Sequence, residues 1–195
     1  MPLVIAGAVS GSTTVQATDA VTATITLPSA TDTLVGKTTP SFTTTIGVGN
    51  ATPSASGAGI TFPATQSAST NANTLDDYEE GTFTPVLVPS IGSITTQSCS
   101  GRYTKIGRVV TVYVSASIDN PGTASGTMSL TGLPFAAADR ANTAIVREDR
   151  NTGFAYMFVI NTSATSGFYF TLTTNSNPPW TTNQLYTFTL TYQTT

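Results

Sequence analysis

Residues 73–88 read N-T-L-D-D-Y-E-E-G-T-F-T-P-V-L-V, and this stretch divides the chain into two unlike halves. Four carboxylates, Asp76, Asp77, Glu79 and Glu80, crowd into five positions, after a run from Thr38 to Leu75 that carries no charge at all. Gly81 then releases the chain into T-F-T-P-V-L-V, the first of a series of strand-like segments that continues to Thr195. Upstream the residues are small and polar; downstream aromatics are frequent. The stretch therefore reads as a hinge between an extended N-terminal arm, residues 1–75, and a C-terminal domain, residues 76–195.

The hinge itself admits three readings. Asn73 or Thr74 can cap a short helical turn, with Asp76 and Asp77 near its positive end and Gly81 as a left-handed stop. A calcium site is a second reading, because hard cations take several oxygens, although the spacing matches no EF-hand loop. In the third, the carboxylates pair with Arg102, Lys105 or Arg108 of the next segment, within one chain or from another subunit.

Downstream the pattern is consistently β. Strands are expected at Thr82–Val88, Gly101–Ile106, Val109–Ile118, Gly126–Leu130, Thr143–Arg147, Phe154–Ile160, Phe168–Thr174 and Leu185–Tyr192. Turn signals fall at Pro89-Ser90, Ile106-Gly107-Arg108, Asp119 to Gly122, Asn151-Thr152-Gly153, Ser166-Gly167 and Asn177-Pro178-Pro179. Val110, Val112, Val114, Ala116 and Ile118 share one face of their strand; Thr111, Tyr113, Ser115 and Ser117 share the other. In the last strand Tyr186, Phe188, Leu190 and Tyr192 oppose Leu185, Thr187, Thr189 and Thr191. Phe154–Ile160 is apolar on both faces, which marks a central or subunit-facing strand. Only Ala136–Ala141 has the composition for a helical turn. Short antiparallel strands at this spacing give an all-β domain, a β-sandwich or jelly-roll-like knob.

Upstream, V-T-A-T-I-T-L places Val21, Ala23, Ile25 and Leu27 on one side and threonines on the other, and Leu3–Val9 can also extend. A lone amphipathic strand has nothing of its own to cover its apolar face, so it docks on another protein or wraps around identical copies. Residues 38–75 combine irregular Gly and Pro with two apolar insets, F-T-T-T-I-G-V and G-I-T-F-P. A disordered linker is one reading of that composition; the insets favour a partly ordered segment lying on a surface.

Composition excludes several function classes. The 195-residue chain has 9% charged residues, far below the level usual for soluble domains, and its low charge favours self-association. The net charge is −3 and no Lys/Arg stripe occurs, which argues against nucleic acid as a partner. The start of the chain lacks a basic n-region and its apolar run is short, so neither a signal peptide nor a membrane span is expected and the chain reads as folded in a cytoplasm. Cys99 is the one cysteine, so no intrachain disulfide supports the fold. The absence of histidine removes His-based acid–base, nucleophilic and metal chemistry. There is no G-x-S-x-G elbow. Glu148 and Asp149, between Arg147 and Arg150, read as a solvated charged loop and not as paired catalytic carboxylates. The single tryptophan, Trp180 in N-P-P-W-T, packs over an end of the domain or stacks on a sugar. The chain is thus read as a non-enzyme, with no cofactor.

The string N-T-L-D-D-Y-E-E-G-T-F-T-P, followed by G-R-Y-T-K-I-G-R-V-V-T-V and later L-T-G-L-P-F, resembles a module found in tailed-bacteriophage fibre and virion-decoration proteins. The upstream F-P-A-T-Q-S-A-S and T-L-P-S-A-T-D-T-L-V-G-K are similar to segments of such fibres, so the likeness runs from about Val21 to Phe135. Members of that family often carry Trp where Phe83 stands. The resemblance implies a homotrimer on the virion surface, its arms bound to other virion structural proteins and its C-terminal domains forming a knob. It implies a short fibre whose knob contacts host surface glycan, or a capsid cement protein whose arms clamp neighbouring capsid subunits at threefold sites. It names no enzymatic residue.

Overall fold

The computed structural model describes residues 3–6, 12–15, 44–139, 143–171 and 178–194. The chain divides into two compact units, Met1–Ser41 and Phe42–Thr195. In the first, β1 (Leu3–Ala6) pairs antiparallel with β2 (Ser12–Val15), Leu3 lying opposite Val15. β1 falls within the strand expected at Leu3–Val9, whereas β2 (S-T-T-V) has no apolar alternation to announce it. Val21, Ala23, Ile25 and Leu27, the expected anchoring residues, lie outside the described residues.

In the second unit the two apolar insets find each other. β3 (Thr45–Gly47) and β4 (Gly59–Thr61) form a short parallel pair, Ile46 opposite Ile60. The rest is one nine-stranded antiparallel sheet that begins at Tyr78 and ends at Gln193. Its strands are β5 (Tyr78–Phe83), β6 (Val86–Ile91), β7 (Thr96–Ile106), β8 (Val109–Asn120), β9 (Ser125–Thr131), β10 (Thr143–Glu148), β11 (Ala155–Ile160), β12 (Gly167–Thr171) and β13 (Gln184–Gln193). The order is β5-β7-β8-β13-β10-β11-β12-β9-β6.

That order forces closure. β5 and β6 are opposite edges of the sheet, yet only Thr84 and Pro85 separate them in the chain. A connection this short brings the edges together only if the sheet folds over on itself, which produces a sandwich-like wrap around one core. Thr82–Val88, expected as one strand, is therefore two, because Pro85 has no N–H for a ladder. The wrap is fastened by a side chain: the Gln97 amide on β7 accepts from the Leu87 N–H at 2.8 Å and donates to the Leu87 carbonyl at 3.1 Å on β6. Pro89-Ser90 is not a turn but lies inside β6, with a register shift before Ile91. An edge strand tolerates proline because one side of it makes no ladder bonds.

The core follows the expected alternation. Val110, Val112, Val114, Ala116 and Ile118 on β8 and Tyr186, Phe188, Leu190 and Tyr192 on β13 are all buried, with Tyr156, Phe158 and Ile160 of β11. The Phe158 and Phe188 rings stack at 5.0 Å between centroids. β11 lies between β10 and β12, as its two apolar faces require. Among the described residues there is no helix, and so none long and apolar enough to cross a membrane. In the described part of the expected helical turn at Ala136–Ala141, residues 136–139, Ala137 instead forms a bridge with Thr194, and Ala138 donates its N–H to the Gln193 carbonyl; residues 140 and 141 lie outside the described residues.

Candidate functional site

The motif strings that carry the resemblance meet in the fold. D-D-Y-E-E-G-T-F becomes edge strand β5 and its approach, and G-R-Y-T-K-I becomes the half of β7 paired with it, from Tyr78 opposite Ile106 to Phe83 opposite Gly101. Glu79 and Glu80 therefore lie in a strand, and Asp76 and Asp77 in the irregular approach to it, and not in a capped helical turn. Gly81, read as a left-handed stop, sits in mid-strand opposite Tyr103.

A strand directs successive side chains to opposite faces, and this separates the carboxylates. Asp77 and Glu79 turn inward. Asp77 is buried and forms an ion pair with Lys105, which is itself buried and lies 5.5 Å from the Phe135 ring centre. Burial lowers the Lys105 pKa, and the charge of Asp76 opposes that shift. Glu79 accepts the Tyr103 hydroxyl, which pushes the Tyr103 pKa up to about 12. Asp77, Glu79, Lys105 and Phe135 line a pocket of about 310 Å³ with Gln66 and Thr194. Both of its carboxylates already hold partners within the chain. Asp76 ties down the preceding loop: it accepts from the Ser69 N–H at 2.7 Å and from Gln66 Nε2 at 3.3 Å. The Ser69 bond is the main reason its pKa falls below the ordinary value.

Of the expected cation partners, then, only Lys105 pairs with the cluster. Arg102 faces outward and stacks on Tyr113, its guanidinium 4.8 Å from the ring centre. Arg108 donates from Nε to the Thr194 carbonyl at 3.3 Å. Among the described residues no group of three Cys, Asp or Glu side chains gathers to hold a metal ion.

Two glycines let aromatic rings lie flat across this pair. A Cβ on Gly81 would sit 2.7 Å from the Tyr103 ring, and one on Gly101 would overlap the Phe83 ring. The register makes the arrangement reciprocal, Gly81 opposite Tyr103 and Phe83 opposite Gly101. Cross-strand aromatic cover of glycine pins a sheet's register.

On the outer face, Glu80 and Thr82 of β5 line an open trough of about 480 Å³ with Arg102, Thr104, Thr111, Tyr113 and Thr189. Sequence reasoning assigned Arg102 to the hinge and Thr111, Tyr113 and Thr189 to the polar faces of their strands, without bringing them together. The available signal was the polar half of the alternation, Thr111-x-Tyr113 and Thr189-x-Thr191, facing away from the core.

Elsewhere, Glu148 overturns the solvated-loop reading. It is wholly buried, and its carboxylate accepts from the N–H groups of Arg150, Asn151, Thr152, Gly153 and Leu185 and from the Thr152 hydroxyl. Burial alone would raise its pKa; the converging donors, led by the Thr152 N–H, outweigh it and hold the value at about 2. Asp149 remains near the surface, paired with Arg147 at 3.0 Å and accepting the Thr187 hydroxyl at 2.6 Å. Trp180 is half-buried against the core and gives its indole N–H to the Gly126 carbonyl at 3.0 Å. Burial raises the Cys99 pKa, so its thiol stays protonated at neutral pH.

Compared with protein-family models, curated proteins and solved structures, the chain matches none.

Proposed function

We propose that this chain is a non-enzymatic structural protein of a tailed-phage virion, a homotrimeric short fibre with an N-terminal virion anchor and a knob that contacts host surface glycan. The observation that carries the reading is the pairing of the two resemblance strings as β5 and β7, in register over six residue pairs. Their polar and glycine positions have architectural uses: Asp77 with Lys105, Glu79 with Tyr103, and two glycines beneath aromatic rings. A module that builds a knob would use its residues in this way. The Val21–Leu27 alternation supports an arm that adds to a partner's sheet edge.

Capsid cement, with arms clamping capsid subunits, is the second reading, favoured by the same arm alternation. Deleting residues 1–75 separates the two. A fibre loses adsorption to the host; a cement protein lowers the heat resistance of the capsid. Gold-labelling the C-terminus and imaging whole particles tests the shared premise, and particles without label would remove it. Sugar release from host polysaccharide by the purified protein would replace both readings with a depolymerase.

A further inference from the structure

We propose that the outer trough of β5, β7, β8 and β13 is the glycan site of the knob, and that it takes a carboxylate-bearing (uronate-type) saccharide held by Arg102. This rests on the reading of the domain as a glycan-contacting knob and names the site and the sugar class. The trough's volume, about 480 Å³, falls in the range of ligand sites.

Its rows follow from the register. Glu80, Thr104, Thr111 and Thr191 align across the four strands, and beside them Thr82, Arg102, Tyr113 and Thr189. Four threonines that line it carry hydroxyls that both donate and accept, and no aliphatic side chain contributes to the lining. Those hydroxyls, beside the Tyr103 and Tyr113 rings in the same lining, suit a sugar, which presents hydroxyls and apolar C–H faces together.

The charge pattern selects the class. The ion pairs among the described residues are Lys105 with Asp77 and Arg147 with Asp149, so Arg102 is exposed without a carboxylate partner in a chain of net charge −3. Tyr113 holds its guanidinium by the face, leaving the N–H edge free for a bidentate carboxylate. Glu80, one row away, accepts the Tyr78 hydroxyl and repels a second anion at that end. The sugar carboxylate is therefore directed to Arg102 and neutral hydroxyls to Glu80. The site is shallow and each copy binds weakly; repeated units along a polysaccharide engage several knobs at once.

The test is titration of the full-length protein with hexagalacturonate and, separately, with a neutral dextran hexasaccharide, followed by calorimetry and by amide chemical-shift mapping. Expected are saturable binding of the acidic oligomer alone and shifts confined to β5, β7, β8 and β13. Arg102→Gln should weaken binding at least tenfold, and Arg102→Lys, which keeps the charge but not the fork, should give an intermediate loss. Arg102 is exposed, so both variants should melt with the wild type. Absence of saturable binding, equal binding of dextran, undiminished binding by Arg102→Gln, or shifts centred on Trp180 would overturn the proposal. So would a trough filled by a second copy, seen as Arg102-dependent self-association without ligand. Any of these results on a protein that still labels phage particles leaves the virion reading standing, and the reverse combination removes that reading alone.

Discussion

Glu148 shows how much one side chain can organise. Five backbone N–H groups converge on its carboxylate, so a loop of D-R-N-T-G is wound around a single buried charge. Its pKa is depressed in the folded protein, from an ordinary 4.5 to about 2, so the folded state favours the ionised form. The stability it contributes is fully present above about pH 4.5 and is lost as pH falls toward 2; a shift of this size corresponds to roughly 3 kcal/mol. Urea midpoints measured from pH 6 down to pH 2.5 should fall, and Glu148→Gln should be less stable at pH 6 while showing a flatter profile. A parallel slope in the variant would assign the acid sensitivity to other groups. At Gly101 the expectation is steric. Gly101→Ala drives a Cβ into the Phe83 ring, at a cost of about 1–3 kcal/mol by urea denaturation. Phe83→Leu should recover part of that loss in the double variant, because the two residues face each other across β5 and β7.

At the scale of elements, closure depends on Gln97. Its amide stands in for a strand, making both bonds that a backbone neighbour would offer Leu87. Gln97→Ala leaves the N–H and C=O of buried Leu87 unpartnered, a loss of about 1–3 kcal/mol. Hydrogen exchange at the Leu87 amide should accelerate well beyond that of the β8 amides; equal protection in the variant would mean the edges hold without the clamp. The strands themselves were legible because their apolar residues alternate: Val110 to Ile118 and Tyr186 to Tyr192 proclaim a buried face at every second residue. The acidic stretch misled for the same physical reason. D-D-Y-E-E contains no apolar alternation, so capping propensity suggested a helical turn, whereas pairing with β7 decided the conformation. Side-chain partners lay further out of reach. Pairing of the acidic cluster with Lys105 is among the three readings of the hinge, but nothing local singles out Asp77 as its partner, 28 positions away, or says that Glu148 meets Leu185, 37 positions away. The trough was hidden because its residues come from four strands that only the topology makes neighbours.

For the whole molecule, the boundary between the units makes a quantitative expectation. The sheet begins at Tyr78, but the contacts divide the chain after Ser41, and residues 44–75 are tied to the domain by particular groups. Asp76 holds the Ser69 N–H and the Gln66 amide, and the Phe62 ring meets the Tyr78 ring at 6.3 Å. Removing residues 1–41 leaves every one of these contacts and every strand of the sheet intact. The shortened protein should therefore melt within a few degrees of the full chain and keep the same urea midpoint. Cutting instead at residue 75 strips the partners of Asp76 and uncovers Tyr78 on the edge strand beside the buried Asp77–Lys105 pair. Water then reaches an ion pair whose geometry depended on exclusion, and the edge strand loses its neighbour segment. The melting temperature should drop by several degrees more than in the first truncation, with the loss concentrated in β5 amide protection. Equal stability of the two truncations would show that residues 42–75 lend the sheet nothing, and that the domain proper starts at the acidic stretch.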